Sequence, residues 1–235
     1  MNIRILIRMF TAVFLFAFIL SAADKEFWST KSYEQWSGKE VEKLLRNSPW
    51  SKAIHVSPQA LGGRGGGGIN RGAAPGSAAK DAAPDISAPE AVLYISWYAR
   101  PIREALARRT LLKDPRTPAA EIQRILNYDS SATLDFVLTG LPAHMIFGAD
   151  PHTLDKLKEE TYLLKKNKVR IPAAAILQPG GGNQPIIFRF PRKADGGELI
   201  TIEDKEVVLV TQVGGTGLRA NFKLAEMIVN GKPAF

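Results

Sequence analysis

Residues 57–90 break the chain in two. Leu61 to Gly72 holds seven glycines in twelve residues, and an Ala/Pro/Ser/Gly stretch follows to Pro89. Such a segment buries little apolar area and loses the most backbone entropy on ordering, so it reads as a flexible, disordered, low-complexity linker. Its charges cancel, Arg64, Arg71 and Lys80 standing against Asp81, Asp85 and Glu90. On one side lie residues 24–56, rich in tryptophan and charge; on the other, 91–235 resume a globular composition. A piece of 33 residues is below the roughly 40 at which domains fold alone without metals or disulfides. The chain has no cysteine, so the shorter piece must dock on something. A 34-residue coil spans about 30–35 Å, enough to reach most of the larger piece.

The first 23 residues read as a secretory signal peptide. Arg4 and Arg8 precede an apolar run from Met9 to Leu20, and Ser21 and Ala23 fit a small-x-small cleavage site. That run is too short for the roughly 20 apolar residues of a membrane span. The mature chain is expected to be periplasmic or secreted and not an integral membrane protein. Its formal charge falls from +8 to +6 with the loss of Arg4 and Arg8.

Three of the four tryptophans, Trp28, Trp36 and Trp50, lie in 24–56. Each can bury about 150–250 Å², roughly 4–6 kcal/mol of gross hydrophobic stabilisation. They serve either to pack the segment onto its own chain or to capture a separate envelope protein, and the sequence leaves both open. Ser37-Gly38-Lys39-Glu40 has the capping-box pattern, with Val41, Leu44 and Leu45 at helical spacing and Asn47-Ser48-Pro49 as the stop. The segment is therefore expected to be helical.

In 91–235 a β-rich run, Val92 to Tyr98, precedes helices expected from Pro101 to Leu112 and after Thr117-Pro118, with a strand around Leu134 to Leu138. Asp150-Pro151 opens a third expected helix with stripe Leu154, Leu157, Thr161 and Leu164, ending in Lys165 and Lys166. Strands follow over Ile171 to Leu177, Pro185 to Phe190, Glu206 to Val213 and Leu218 to Leu224, the last two joined by a glycine-rich hairpin. Helices first and consecutive strands afterwards give an α+β fold with a mostly antiparallel sheet.

Catalytic and cofactor patterns are absent or misplaced. Gly63-x-Gly65-x-x-Gly68 follows no strand, and Gly215-x-Gly217-x-x-Ala220 has too little chain after it for a dinucleotide fold. A single Arg64-Gly65-Gly66 in an exported chain does not point to nucleic acid. His55, His144 and His152 have no metal-ligand spacing. No cofactor or metal is expected. A hydrolase would have to assemble its site from scattered residues, with His144 or His152 as base and Ser96 as a nucleophile. The densest basic run is Lys156, Lys158, Lys165, Lys166, Lys168 and Arg170, which suits an acidic partner such as a polyanion or anionic lipid.

Three stretches carry a family resemblance. Phe27-Trp28, Tyr33, Gln35-Trp36-Ser37, Glu40 to Leu45 and Ser48-Pro49-Trp50-Ser51-Lys52 form the first, Trp97 with Pro101 to Ala105 the second, and Phe222-Lys223-Leu224 with Met227 and Gly231-Lys232 the third. These residues resemble a family of uncharacterised exported bacterial proteins known as GWxTD-domain-containing, although this chain has no Gly-Trp pair. The resemblance implies export and a single coherent fold, and implies no catalytic residue or cofactor. The leading expectation is thus a non-catalytic binding or structural module of the bacterial envelope. The scattered-site hydrolase and the polyanion or anionic-lipid binder are the alternatives.

Overall fold

A computed structural model describes residues 26–56, 91–141, 151–178, 185–213 and 216–235, without the side chains of Pro151 and His152. The predicted signal peptide, the linker, His144 and the tip of the last hairpin lie outside the described residues.

The capping box forms as the sequence predicts. Ser37 Oγ accepts from the Glu40 N–H at 3.3 Å, and Glu40 Oε2 accepts from the Ser37 N–H at 2.8 Å. A short α1 (Phe27–Thr30) and a 3-10 turn (Tyr33–Gln35) precede α2 (Gly38–Arg46), which buries Val41, Leu44 and Leu45. At its end the Ser48 hydroxyl donates to Leu44 O at 2.7 Å and accepts from the Trp50 N–H. One side chain thus satisfies a terminal helix carbonyl and turns the chain.

The segment is not helical throughout. Ser51–Val56 forms β1, paired antiparallel with β2 (Ala91–Trp97) from Ser51↔Ser96 to Val56↔Ala91. The two pieces flanking residues 57–90 therefore share a sheet, and the intervening stretch leaves and re-enters at facing residues. Compared with a four-residue turn, a connection of this length adds about 2 kcal/mol of closure entropy, a modest cost.

The fold is α+β. A five-stranded sheet runs β1-β2-β3-β7-β6, with β3 Thr133–Thr139, β6 Ala175–Leu177 and β7 Ile186–Pro191. A four-stranded sheet runs β11-β10-β4-β5, with β4 Tyr162–Lys165, β5 Arg170–Pro172, β10 Glu206–Val213 and β11 Thr216–Lys223. Both are antiparallel, and their apolar faces meet; a separate small ribbon pairs β8 (Lys193–Ala194) with β9 (Gly197–Glu198). Period-two alternation puts Leu93, Ile95, Trp97, Leu134, Phe136, Phe188 and Phe190 on one inner face and Leu163, Val207, Leu209, Leu218, Ala220 and Phe222 on the other. Phe222 crosses the interface, its ring 5.8 Å from Trp97 and 5.3 Å from Phe136.

Helices cover the outer face of the larger sheet. There the Ser51 hydroxyl donates to Leu45 O at 2.6 Å, and the Arg46 guanidinium lies 5.6 Å over the Tyr94 ring. Helix α3 (Arg100–Lys113) packs on α2 and on α4 (Ala119–Leu126).

Two expectations are corrected. The third helix, α5 (Pro151–Glu159), ends before Thr161. Tyr162–Lys165 instead forms β4 against β10, where Leu163 is fully buried opposite Leu209, tertiary packing overriding the local helical stripe. Ile171 to Leu177 is not one strand either. Ala173 N–H bonds Thr161 O in one sheet while Ala174 N–H bonds Arg189 O in the other, so the chain changes sheets between β5 and β6.

Candidate functional site

The apolar end of β2 runs directly into α3 with Ala99 as its N-cap, and Pro101 in the first turn brings the pre-set φ that helix initiation needs. This junction faces the start of β3, Arg192 beyond β7, and a small ribbon of β12 (Ile228–Val229) and β13 (Lys232–Pro233). Together with the Ala234-Phe235 tail these segments enclose a cavity of about 630 Å³. That volume suits a small molecule. Trp97, Leu134 and Phe235 supply apolar wall, while Tyr98, Tyr128, Arg103, Arg192, Asn230 and Lys232 supply polar groups. Two shallower hollows share wall residues with it, one reaching Trp28 and Tyr33 and the other Asp129 and Lys193.

Two arginines at this end of the fold are used differently. Arg189 clasps Asp135 with its Nε–Nη2 edge, Nε to Oδ1 at 3.0 Å and Nη2 to Oδ2 at 2.8 Å, and the Tyr128 hydroxyl also donates to Asp135 Oδ2. The Asp135 hydrogen bond raises the Arg189 pKa further above its usual value, and burial followed by the bond to Asp135 raises that of Tyr128. Asp135 is thereby occupied as a structural anion. Arg103 is only 9% exposed and forms no ion pair among the described residues. Its hydrogen bonds, to Tyr128 O at 2.6 Å and Ser130 Oγ at 3.4 Å, both run from Nη1, and its buried Nε has no hydrogen-bond partner. Burial pushes its pKa down, opposed by Tyr98, Glu104 and Tyr128. A buried donor without a partner costs about 1–3 kcal/mol, more when charged.

Arg192 is a second cation, fixed by bonds from Nε to Ser130 O at 2.8 Å and from Nη1 to Phe235 O at 3.3 Å, and it is paired with Glu198 at 3.8 Å. Lys232 on the ribbon is exposed. Tyr98 stands edge-on to Tyr128 with centroids 5.1 Å apart, and burial raises its pKa, so both phenols remain neutral donors near pH 7.

The tryptophans named as candidate partner-binding residues lie in the interior: Trp28, Trp36 and Trp50 are all buried. Trp28 stacks edge-on with Trp50 and with Phe27, the Trp36 indole N–H donates to Lys31 O, and Arg108 Nε donates to Trp36 O. Their faces are spent on their own chain, because the strand β1 draws the segment into the sheet.

The basic run does not form one helix face, because the chain changes from helix to hairpin within it. Lys156 and Lys158 are exposed on α5; Lys165 is paired with Asp204 at 2.8 Å and donates to Leu199 O; Lys166 and Lys168 are exposed in the β4–β5 turn; Arg170 lies 4.6 Å over the Tyr162 ring. Ser96 points to the helical side, where its hydroxyl lies 2.8 Å from that of Ser51. Because the Ser51 proton is directed to Leu45 O, Ser96 is the donor there and its hydroxyl is occupied. The histidines proposed as a base, His144 and the side chain of His152, lie outside the described residues. Among the described residues no three His, Asp or Glu side chains converge as a metal site, and no helix is long and apolar enough to cross a membrane.

Arg103 was not legible as a site residue. It follows Ile102 and precedes Ala105 on the arc of α3 that the structure buries, but with few large apolar residues in α3 that arc has no clear outline in sequence.

The chain matches no protein-family profile, and no curated protein matches it. Among solved structures it is similar to a protein of unknown function from Burkholderia pseudomallei, at 11% identity over 55% of this chain and 72% of that one, with a TM-score of 0.33. At that score the likeness carries no argument about the site.

Proposed function

We propose that the mature chain is an exported, non-catalytic binding module of the bacterial envelope whose ligand site is the cavity at the β2–α3 junction. Export rests on the charged, apolar and small-residue order of residues 1–23. The reading of the site rests on one observation: a cavity of ligand size, walled by aromatic rings, has a buried cation that pairs with no carboxylate among the described residues. Non-catalysis rests on the occupied state of the described groups that chemistry could use. Asp135 is clasped by Arg189, Ser96 is bonded to Ser51, and the phenols are held neutral.

The polyanion reading is weaker, since Lys165 and Arg170 are engaged within the chain. The test is a fragment screen on mature protein by two-dimensional NMR. Binders should perturb the Trp97 indole and the Asn230 side-chain amide together. Binders confined to another surface, or turnover of ester, peptide or glycoside substrates, would contradict the proposal.

A further inference from the structure

The two arginines near the cavity supply an internal comparison. Arg189 shows what a guanidinium of this fold does with its Nε–Nη2 edge when a carboxylate is available: it takes both oxygens at 3.0 and 2.8 Å. Arg103 has its Nη1 committed to Tyr128 O and Ser130 Oγ, which fixes the plane of the group. Its Nε is buried without a partner, and Arg103 lines the cavity. A guanidinium, the group that matches a carboxylate in geometry, is thus held on the cavity wall with no carboxylate paired to it among the described residues.

The surroundings favour the same chemistry. Lys232 adds positive charge to the wall, where Arg192 is shared with Glu198 at 3.8 Å, and the amino-terminal end of the 14-residue helix α3, with Arg100 and Pro101 on the cavity, adds its partial positive pole. The acids on the wall are already paired, Asp135 with Arg189 and Glu104 with Arg100 at 2.7 Å. Trp97, Leu134 and Phe235 leave an apolar wall for the body of a ligand.

Resting on the reading of the cavity as a ligand site, we infer that its ligand is a small carboxylic acid with an apolar body, its carboxylate paired with Arg103. Arg103 then supplies the counter-charge, and Lys232 draws the anion in. A carboxylate at the end of a peptide and one on a free metabolite share this chemistry.

The experiment is calorimetric titration of mature protein with benzoate, hexanoate and the C-terminal dipeptide Ala-Phe, each against its neutral amide, and with inorganic phosphate. Carboxylates should bind at least tenfold more tightly than their amides. The dipeptide and the simple acids separate the two sources. Arg103→Lys should weaken binding at least tenfold. Because Arg103 also supports the Tyr128 loop, Lys232→Gln is the second variant. It should weaken binding two- to fivefold with an unchanged melting temperature, and the loss should shrink as salt rises. Amides that bind in the cavity as well as acids would overturn the carboxylate while keeping the cavity as a site. Absence of binding by either class would overturn both, and preference for phosphate would overturn the planar pairing.

Discussion

The indole Nε1 of Trp50 donates to the main-chain oxygen of Ala234 at 2.7 Å, joining residues 184 positions apart. Trp50 also accepts at its own carbonyl from the Trp97 N–H at 2.8 Å. One residue of the amino-terminal piece therefore holds both the end of β2 and the tail that walls the cavity.

Trp50→Phe keeps an aromatic ring but removes the indole N–H and part of the packed volume. It is expected to cost about 2–4 kcal/mol, read by urea denaturation. The same variant should loosen Ala234 and Phe235, seen as faster amide exchange at Ala234, whose N–H bonds Met227 O. Unchanged stability would show that the tryptophan segment is not part of this core.

The Glu40 carboxylate lies 2.6 Å from Lys31 Nζ and accepts from the backbone and hydroxyl of Ser37, and these partners, Lys31 foremost, hold its pKa at about 2. Its folded pKa is below the ordinary value of 4.5, so its contribution is complete above that value and is lost as pH falls toward 2. Glu40→Gln should cost about 0.5–2 kcal/mol at pH 7. The gap from wild type should close between about pH 4.5 and 2, as followed by denaturation at a series of pH values. A gap independent of pH would remove the carboxylate from the account.

Asp135 is almost fully buried under Arg189 and Tyr128. Asp135→Ala leaves the guanidinium without its anion and should cost about 3–5 kcal/mol. Adding Arg189→Leu should restore part of that loss, because the uncompensated charge goes with it. Strictly additive losses in a double-mutant cycle would mean that the pair is not coupled.

What could be read in the sequence was local. Ser37 and Glu40 are three residues apart, and their reciprocal bonds need nothing else, so α2 was legible. So were β10 and β11, where buried residues alternate along each strand and the connection is short. Other features depend on partners distant in the chain. Ser51 to Val56 has no strong strand signature and becomes β1 because β2 receives it beyond the low-complexity stretch. Thr161 to Lys165 fits a helical stripe equally well, and only the pairing of Leu163 with Leu209 settles it. Ile171 to Leu177 looks continuous in composition, yet Ala173 and Ala174 bond to different sheets. Tryptophans mark stickiness without saying to what. Arg103 is notable only for a partner it lacks, which no sequence pattern records.

The central claim can be read on Arg103 itself. Its Nε–Hε resonance in mature protein, assigned by its disappearance in Arg103→Lys, should shift on titration with benzoate and hardly move with benzamide. The Nε–Hε resonance of Arg189, already clasped on Asp135, should stay in place. A benzoate titration that moves other signals to saturation and leaves Arg103 unmoved would contradict the assignment of this arginine as the carboxylate receptor.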